Sequence, residues 1–253
     1  MNLKSWLLNR YFWFKNYSIL SQLYFRIYVG LKGIEKAKPI VIIFGMGRVG
    51  STLLVNLLNQ TNGILCDGEI LDRRVYDIKS FIALRAIQCS RPFYAFRVKH
   101  FHINRFNKLT DADFIKSLTG LSIHWIYIER LDLKRVALSA EVAKQTKMYN
   151  TTDISNFKSI SIPIQLLVKE LQFREMEKKR EKNLLKQIEK LFYHIQYERD
   201  LSNSFQQQKT IDLICDKLEI NSAVVGSNLK KLSNHYSKII ENYGEIKSKF
   251  LNE

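Results

Sequence analysis

The chain has 253 residues, 46% of them hydrophobic, which is enough for one sizeable α/β core; three prolines and ten glycines exclude a string of modules joined by long low-complexity linkers. The formal charge of +16 calls for anionic partners, whether phosphate, sulfate, nucleic acid or an anionic membrane, without choosing among them. Cys66, Cys89 and Cys215 are an odd, scattered set without metal-ligand spacing, which argues against a structural metal or disulfide framework and for reduced thiols in a cytoplasmic setting.

Residues 1–38 read as a basic, aromatic segment, and residues 39–253 as one domain. Residues 1–39 hold seven Lys/Arg against one acidic residue, with nine aromatics. Leu20, Tyr24, Ile27, Tyr28 and Leu31 recur at helical spacing, which predicts a helix packed on the core, with peripheral contact to a membrane surface as the alternative. The longest uncharged piece here, NYSILSQLYF, is far short of the roughly 18 apolar residues that a membrane span needs. No signal peptide is expected, because charge and aromatics run through the whole N-terminus.

From Pro39 the pattern changes to PIVIIFG, an apolar, β-branched run that predicts a central parallel strand, followed by a helix over Leu53 to Leu58. Further strands are predicted at YAFRV (94–98), SIHWIYI (122–128) and FYHIQY (192–197), with helices between them. The alternation predicts an α/β fold, a central parallel sheet flanked by helices. Over 164–191, Ile164, Leu167, Val168 and Leu171 share one stripe of an expected connecting helix whose charged face would be solvated.

The loop in VIIFGMGRVGSTLL fits three signatures. Gly45, Gly47 and Gly50 match the GxGxxG of dinucleotide folds, for which Asp67 stands at about the right distance to bind a ribose. Gly45, Gly50, Ser51 and Thr52 match the phosphate loop GxxxxGK[ST], except that Ser51 replaces the lysine. Arg48, a cation inside the loop, offers a third reading. All three share one device, in which a tight turn leaves a strand and opens a helix whose positive end meets phosphate. About 80 residues on, WIYIERLDLKRVALSAEVAKQT delivers Arg130 at a strand end and Ser139 on the next helix. An arginine fork with a hydroxyl suits a second, separate phosphate.

At these residues the sequence resembles the sulfotransferases that use 3′-phosphoadenosine 5′-phosphosulfate (PAPS). FGMGRVGSTLL is similar to their 5′-phosphosulfate loop and IYIERLDLKRVALS to their 3′-phosphate motif, while ALSAEVAKQT is most similar to the bacterial carbohydrate group that includes trehalose sulfotransferase. IQYERDL (195–201) and LKKLSNHYSKIIENYGEI resemble later segments of these enzymes, so that the likeness runs from Pro39 to Ile246.

The resemblance implies a P-loop-like sulfotransferase fold and sulfuryl transfer from PAPS to a hydroxyl, on a carbohydrate or glycolipid, with no metal required. It implies that Gly47, Arg48, Val49, Gly50, Ser51, Thr52 and Leu53 grip the 5′-phosphosulfate, with Arg48 at the bridging oxygen, and that Arg130 and Ser139 hold the 3′-phosphate. Val49 departs from the small Ser or Gly of many relatives. By the same resemblance Glu69, in CDGEILD, is the general base; His100 and His102 are the alternatives, since other sulfotransferases use histidine. Lys99, Lys230 and Lys231 are weaker candidates for ligand contacts. A kinase-like phosphate-loop protein and a non-catalytic nucleotide- or nucleic-acid-binding module are the competing readings; no nucleic-acid partner is expected, because the basic residues lie mostly on apparent helices. Homodimer formation is left open.

Overall fold

The computed structural model describes residues 19–147, 159–189, 191–229 and 232–252; Lys230 and Lys231, and residues 1–18 of the basic N-terminal segment, lie outside them. In chain order the principal elements are α1 (Ile19–Lys32), β1 (Ile40–Phe44), α2 (Ser51–Leu58), β2 (Ile64–Cys66), α3 (Ile78–Gln88), β3 (Phe93–Val98), α4 (Asp111–Ser117), β4 (Ile123–Glu129), α5 (Leu133–Thr146), α6 (Ile164–Leu185), β5 (Leu191–Gln196) and α7 (Ser204–Lys217). Short helical turns follow, between Leu232 and Leu251.

The five strands form one parallel sheet in the order β2-β3-β1-β4-β5. β1 is central, and each of its five residues is buried, as an IVIIF run demands when both faces are covered. Alternation divides its side chains between two cores. Ile40, Ile42 and Phe44 join Phe25, Val29, Phe81 and Ile82 from α1 and α3 on one face. Val41 and Ile43 join Leu54 and Leu57 of α2 and Ile211 and Ile214 of α7 on the other. A third cluster ties α5 and α6 to the C-terminal turns through Leu138, Leu167, Tyr236 and Phe250. The α/β class and all four predicted strands are present.

Three expectations need correction. β2 was not anticipated. Among the described side chains of α1, Phe25 and Val29 are buried and Tyr24 and Tyr28 of the predicted stripe pack against the same core, so the helix docks as expected, but Ile27 and Leu31 of that stripe are exposed. In α6 the side facing the protein is charged: Leu167, Glu170, Arg174, Glu177, Glu181 and Leu184 are buried, and Val168 is exposed. Pairing makes that burial tolerable. Glu170 binds Arg174 at 2.5 Å and Lys144 of α5 at 2.5 Å, and Glu177 binds Arg180 at 2.8 Å.

Because every strand runs the same way, all five C-terminal ends lie along one sheet edge. The chain leaves β1 for β2 on one side and later takes up β4 on the other, so β1 is the point at which the strand order reverses. Ligands of open parallel sheets bind in the crevice outside that point.

Candidate functional site

A cleft of about 830 Å³ opens at this edge, within the size range of ligand sites. Each strand contributes to its lining near or just beyond its C-terminus: Gly47, Arg48 and Gly50 to Leu53 after β1, Glu69 after β2, Arg97 and Lys99 around the end of β3, Arg130 after β4 and Tyr197 after β5. Arg135, Ser139 and Tyr236 line it as well.

The β1–α2 turn is built by its glycines. Gly50 has φ 93°, and a Cβ there would lie 2.6 Å from the Tyr197 ring, so both conformation and space require glycine. As the residue that opens α2, Gly50 brings no side-chain cap, which leaves the first-turn N–H groups available to an anion. Arg48 adopts φ 75°, a left-handed conformation that a non-glycine residue holds only under constraint from its surroundings. Its Nε donates to Ser139 Oγ at 3.1 Å, so that the two phosphate motifs, 91 residues apart, meet across the cleft. Arg174 supports the loop from behind, its Nη1 donating to the Gly47 carbonyl at 3.3 Å. The Val49 side chain is fully buried in the core, so of this residue only the backbone remains to meet a ligand.

Arg97 has no counterpart in the sequence expectations. Its Nη1 donates to Thr52 Oγ1 at 2.6 Å and to Ser51 Oγ at 3.2 Å, which sets a guanidinium at the start of α2, beside the position where the phosphate-loop pattern carries lysine. Its Nη2 is 2.9 Å from Glu69 Oε1, and Lys99 Nζ is 2.7 Å from the same oxygen. His102 Nε2 is 3.2 Å from Glu69 Oε2, while its Nδ1 accepts from the Lys99 backbone N–H at 3.2 Å. That acceptor role assigns the proton to Nε2, which faces the carboxylate.

Burial alone would raise the Glu69 pKa, but hydrogen bonds from His102 and Lys99, with the charges of Lys99 and Arg97, bring it down to about 2. Lys99 is shifted down by burial in spite of Glu69. Arg130 Nε lies 3.4 Å from Glu198 Oε1, with its Cζ 4.9 Å from the Tyr197 ring centroid.

The histidine alternatives are not among the lining residues. His100 is buried and pairs with Asp111 at 3.0 Å, and His102 stands behind Glu69 with its ring against Phe101. Asp67, required by the dinucleotide reading, accepts from Tyr94 Oη at 2.8 Å, faces Arg85 at 3.5 Å and does not line the cleft either. Among the lining residues, five cations (Arg48, Arg97, Lys99, Arg130 and Arg135) face two carboxylates, Glu69 and Asp72. Such a surplus in a concave site attracts a polyanion. Compared with protein-family models and with curated proteins, the sequence matches none.

Proposed function

We propose that the chain is a PAPS-dependent sulfotransferase with a P-loop-like sulfotransferase fold, acting on a hydroxyl of a carbohydrate or glycolipid. The observation that carries this reading is the convergence, in one cleft, of a capless helix start bearing Ser51 and Thr52 with Arg48, Arg97 and Lys99, and of Arg130 and Ser139 from the second motif. These groups fit a nucleotide phosphorylated at both ends. The N–H groups and hydroxyls at the start of α2 suit the 5′ end, and Arg130 and Ser139 suit the 3′ end. The cleft also has the volume for a nucleotide.

PAPS supplies a sulfuryl group already activated by a phosphate leaving group. In an in-line transfer the acceptor oxygen bonds to sulfur as the bridging S–O bond breaks, and the electron pair of that bond departs with the 5′-phosphate. Positioning and charge stabilisation carry most of such a reaction. Arg48 and Arg97 then counter charge growing on the bridging and equatorial oxygens. Lys99 adds a cation on the same side. Glu69, ionised and lining the cleft, takes the proton from the acceptor hydroxyl; His102 orients it from behind.

Incubation with labelled PAPS and a panel of disaccharides and glycolipids tests the reading. Transfer of label to an acceptor, with release of adenosine 3′,5′-bisphosphate, supports it. Absence of transfer together with absence of bisphosphate binding overturns it.

A further inference from the structure

Arg97 faces two ways. One guanidinium nitrogen holds the hydroxyls of Ser51 and Thr52 at the start of α2, and the other meets Glu69. Lys99, the next cation along, is committed to the same Glu69 oxygen. An anion seated at the helix start needs these cations, and Glu69 already neutralises them. We propose that Glu69 is a resident counter-anion, which an incoming phosphate or sulfonate group replaces on Arg97 and Lys99.

This inference rests on the cleft being an anion site, as set out above, and adds the way in which that site is kept ordered without its ligand. Clustered like charges in a half-buried wall repel one another and lose hydration, so an internal carboxylate stabilises the cluster. The arrangement also lets the exchange proceed without displacing Glu69 from the wall. Only Oε1 is shared with Arg97 and Lys99, whereas Oε2 faces Nε2 of the buried His102, whose Nδ1 accepts from the Lys99 backbone N–H. When the two cations turn to a ligand, the His102 contact stays.

Two consequences follow. Part of the binding free energy of any anion is spent on separating Glu69 from its partners, so the ligand-free protein binds anions more weakly than its cations alone would allow. The carboxylate left behind keeps His102 but has lost Lys99 and Arg97, whose hydrogen bond and charges also hold it down, and so becomes a stronger proton acceptor when an acceptor hydroxyl has a proton to give up.

Calorimetric titration of the full chain with adenosine 3′,5′-bisphosphate, and separately with inorganic pyrophosphate, tests the exchange. Glu69→Gln removes the internal anion while keeping size and hydrogen bonding, and is expected to bind both probes about tenfold more tightly than the native chain, a factor that corresponds to one modest charge interaction. Arg97→Gln is expected to bind them more weakly, and in the double variant the gain from Glu69→Gln should shrink, because the exchanged partner is gone. Unchanged or weaker binding by Glu69→Gln, with the native chain binding normally, overturns the inference and leaves the sulfotransferase reading in place. Tighter pyrophosphate binding by Glu69→Gln, with no variant binding the nucleotide, upholds the counter-anion and overturns the nucleotide reading. Should Glu69→Gln melt as an unfolded chain, Glu69→Asp replaces it: its shorter reach loosens both ion pairs, and a decrease in affinity there contradicts the exchange.

Discussion

Two glutamates withdrawn from water have opposite fates. Glu69 stands among Arg97, Lys99 and His102, and its carboxyl is held at about 2. Glu181 of α6 is fully buried; burial first, and then the neighbouring carboxylates Glu177 and Glu129, push it up to about 8 although the Tyr127 hydroxyl donates to it at 3.3 Å. Burial opposes ionisation at both positions. The difference lies in the partners, since the cleft surrounds its carboxylate with donors while Glu181 has the Tyr127 hydroxyl of β4 and the charge of Lys178 set against burial and two like charges. An ionised carboxylate beside cations is suited to exchange and proton transfer. A protonated one in a wall is a structural group whose effect depends on pH.

The largest expected effect comes from changing the member of this pair that lines the cleft. Glu69→Gln should lower turnover by ~10²- to 10⁴-fold, the usual contribution of a proton acceptor. The measurement is the initial rate with saturating labelled PAPS and a working acceptor; near-native turnover would assign the proton elsewhere and reduce Glu69 to a counter-ion.

Glu181 predicts a pH effect of the opposite kind. Its folded pKa lies above the ordinary carboxylate value, so its contribution to stability is fully present below about pH 4.5 and is lost as pH rises through about 8. For a group this buried the loss is on the order of 4 kcal/mol. Glu181→Gln should therefore flatten the fall in melting temperature between pH 5 and pH 8. A native-like slope in that variant would show that Glu181 is ionised in the fold.

A smaller change should move Glu69 toward the behaviour of Glu181. Lys99→Met removes one of the hydrogen bonds and one of the charges that lower the Glu69 carboxyl, so that its pKa should rise, read by carbon-13 NMR of labelled glutamate. An unmoved resonance would mean that the 2.7 Å contact is absent in solution. The smallest effect is expected at His100, buried against Asp111 and outside the lining of the cleft. His100→Asn should change turnover by less than about twofold, since it touches no reacting group. Loss of activity with intact nucleotide binding would restore histidine as the base.

The backbone plan was legible because it is carried by apolar runs. β1, β3, β4 and β5 each announce themselves as short β-branched or aromatic stretches. β2, three residues long, has no room for a periodic signal. α6 hid its inner face because that face is charged: a search for hydrophobic spacing finds Val168 and misses Glu170, Arg174, Glu177 and Glu181. α1 carries apolar residues on two sides, and tertiary packing selected the Phe25 and Val29 side. In the site, Arg48, Ser51, Thr52, Glu69, Arg130 and Ser139 stood in readable motifs, and all of them line one cleft. Arg97 did not, although a signal was present: it is the charged residue near the C-terminal end of an otherwise apolar strand, the end at which parallel sheets bind ligands. The contact of Arg48 with Ser139, across 91 residues, could come only from the fold.

The central claim, that the cleft holds a nucleotide phosphorylated at both the 3′ and 5′ positions, is tested most directly by thermal denaturation in the presence of adenosine 3′,5′-bisphosphate, AMP and NAD. At ~100 times its dissociation constant the bisphosphate should stabilise the fold by roughly 2.7 kcal/mol. AMP at the same concentration should do much less, because Arg130 and Ser139 would have no phosphate to hold. Equal stabilisation by AMP, or a larger shift with NAD, would contradict the account.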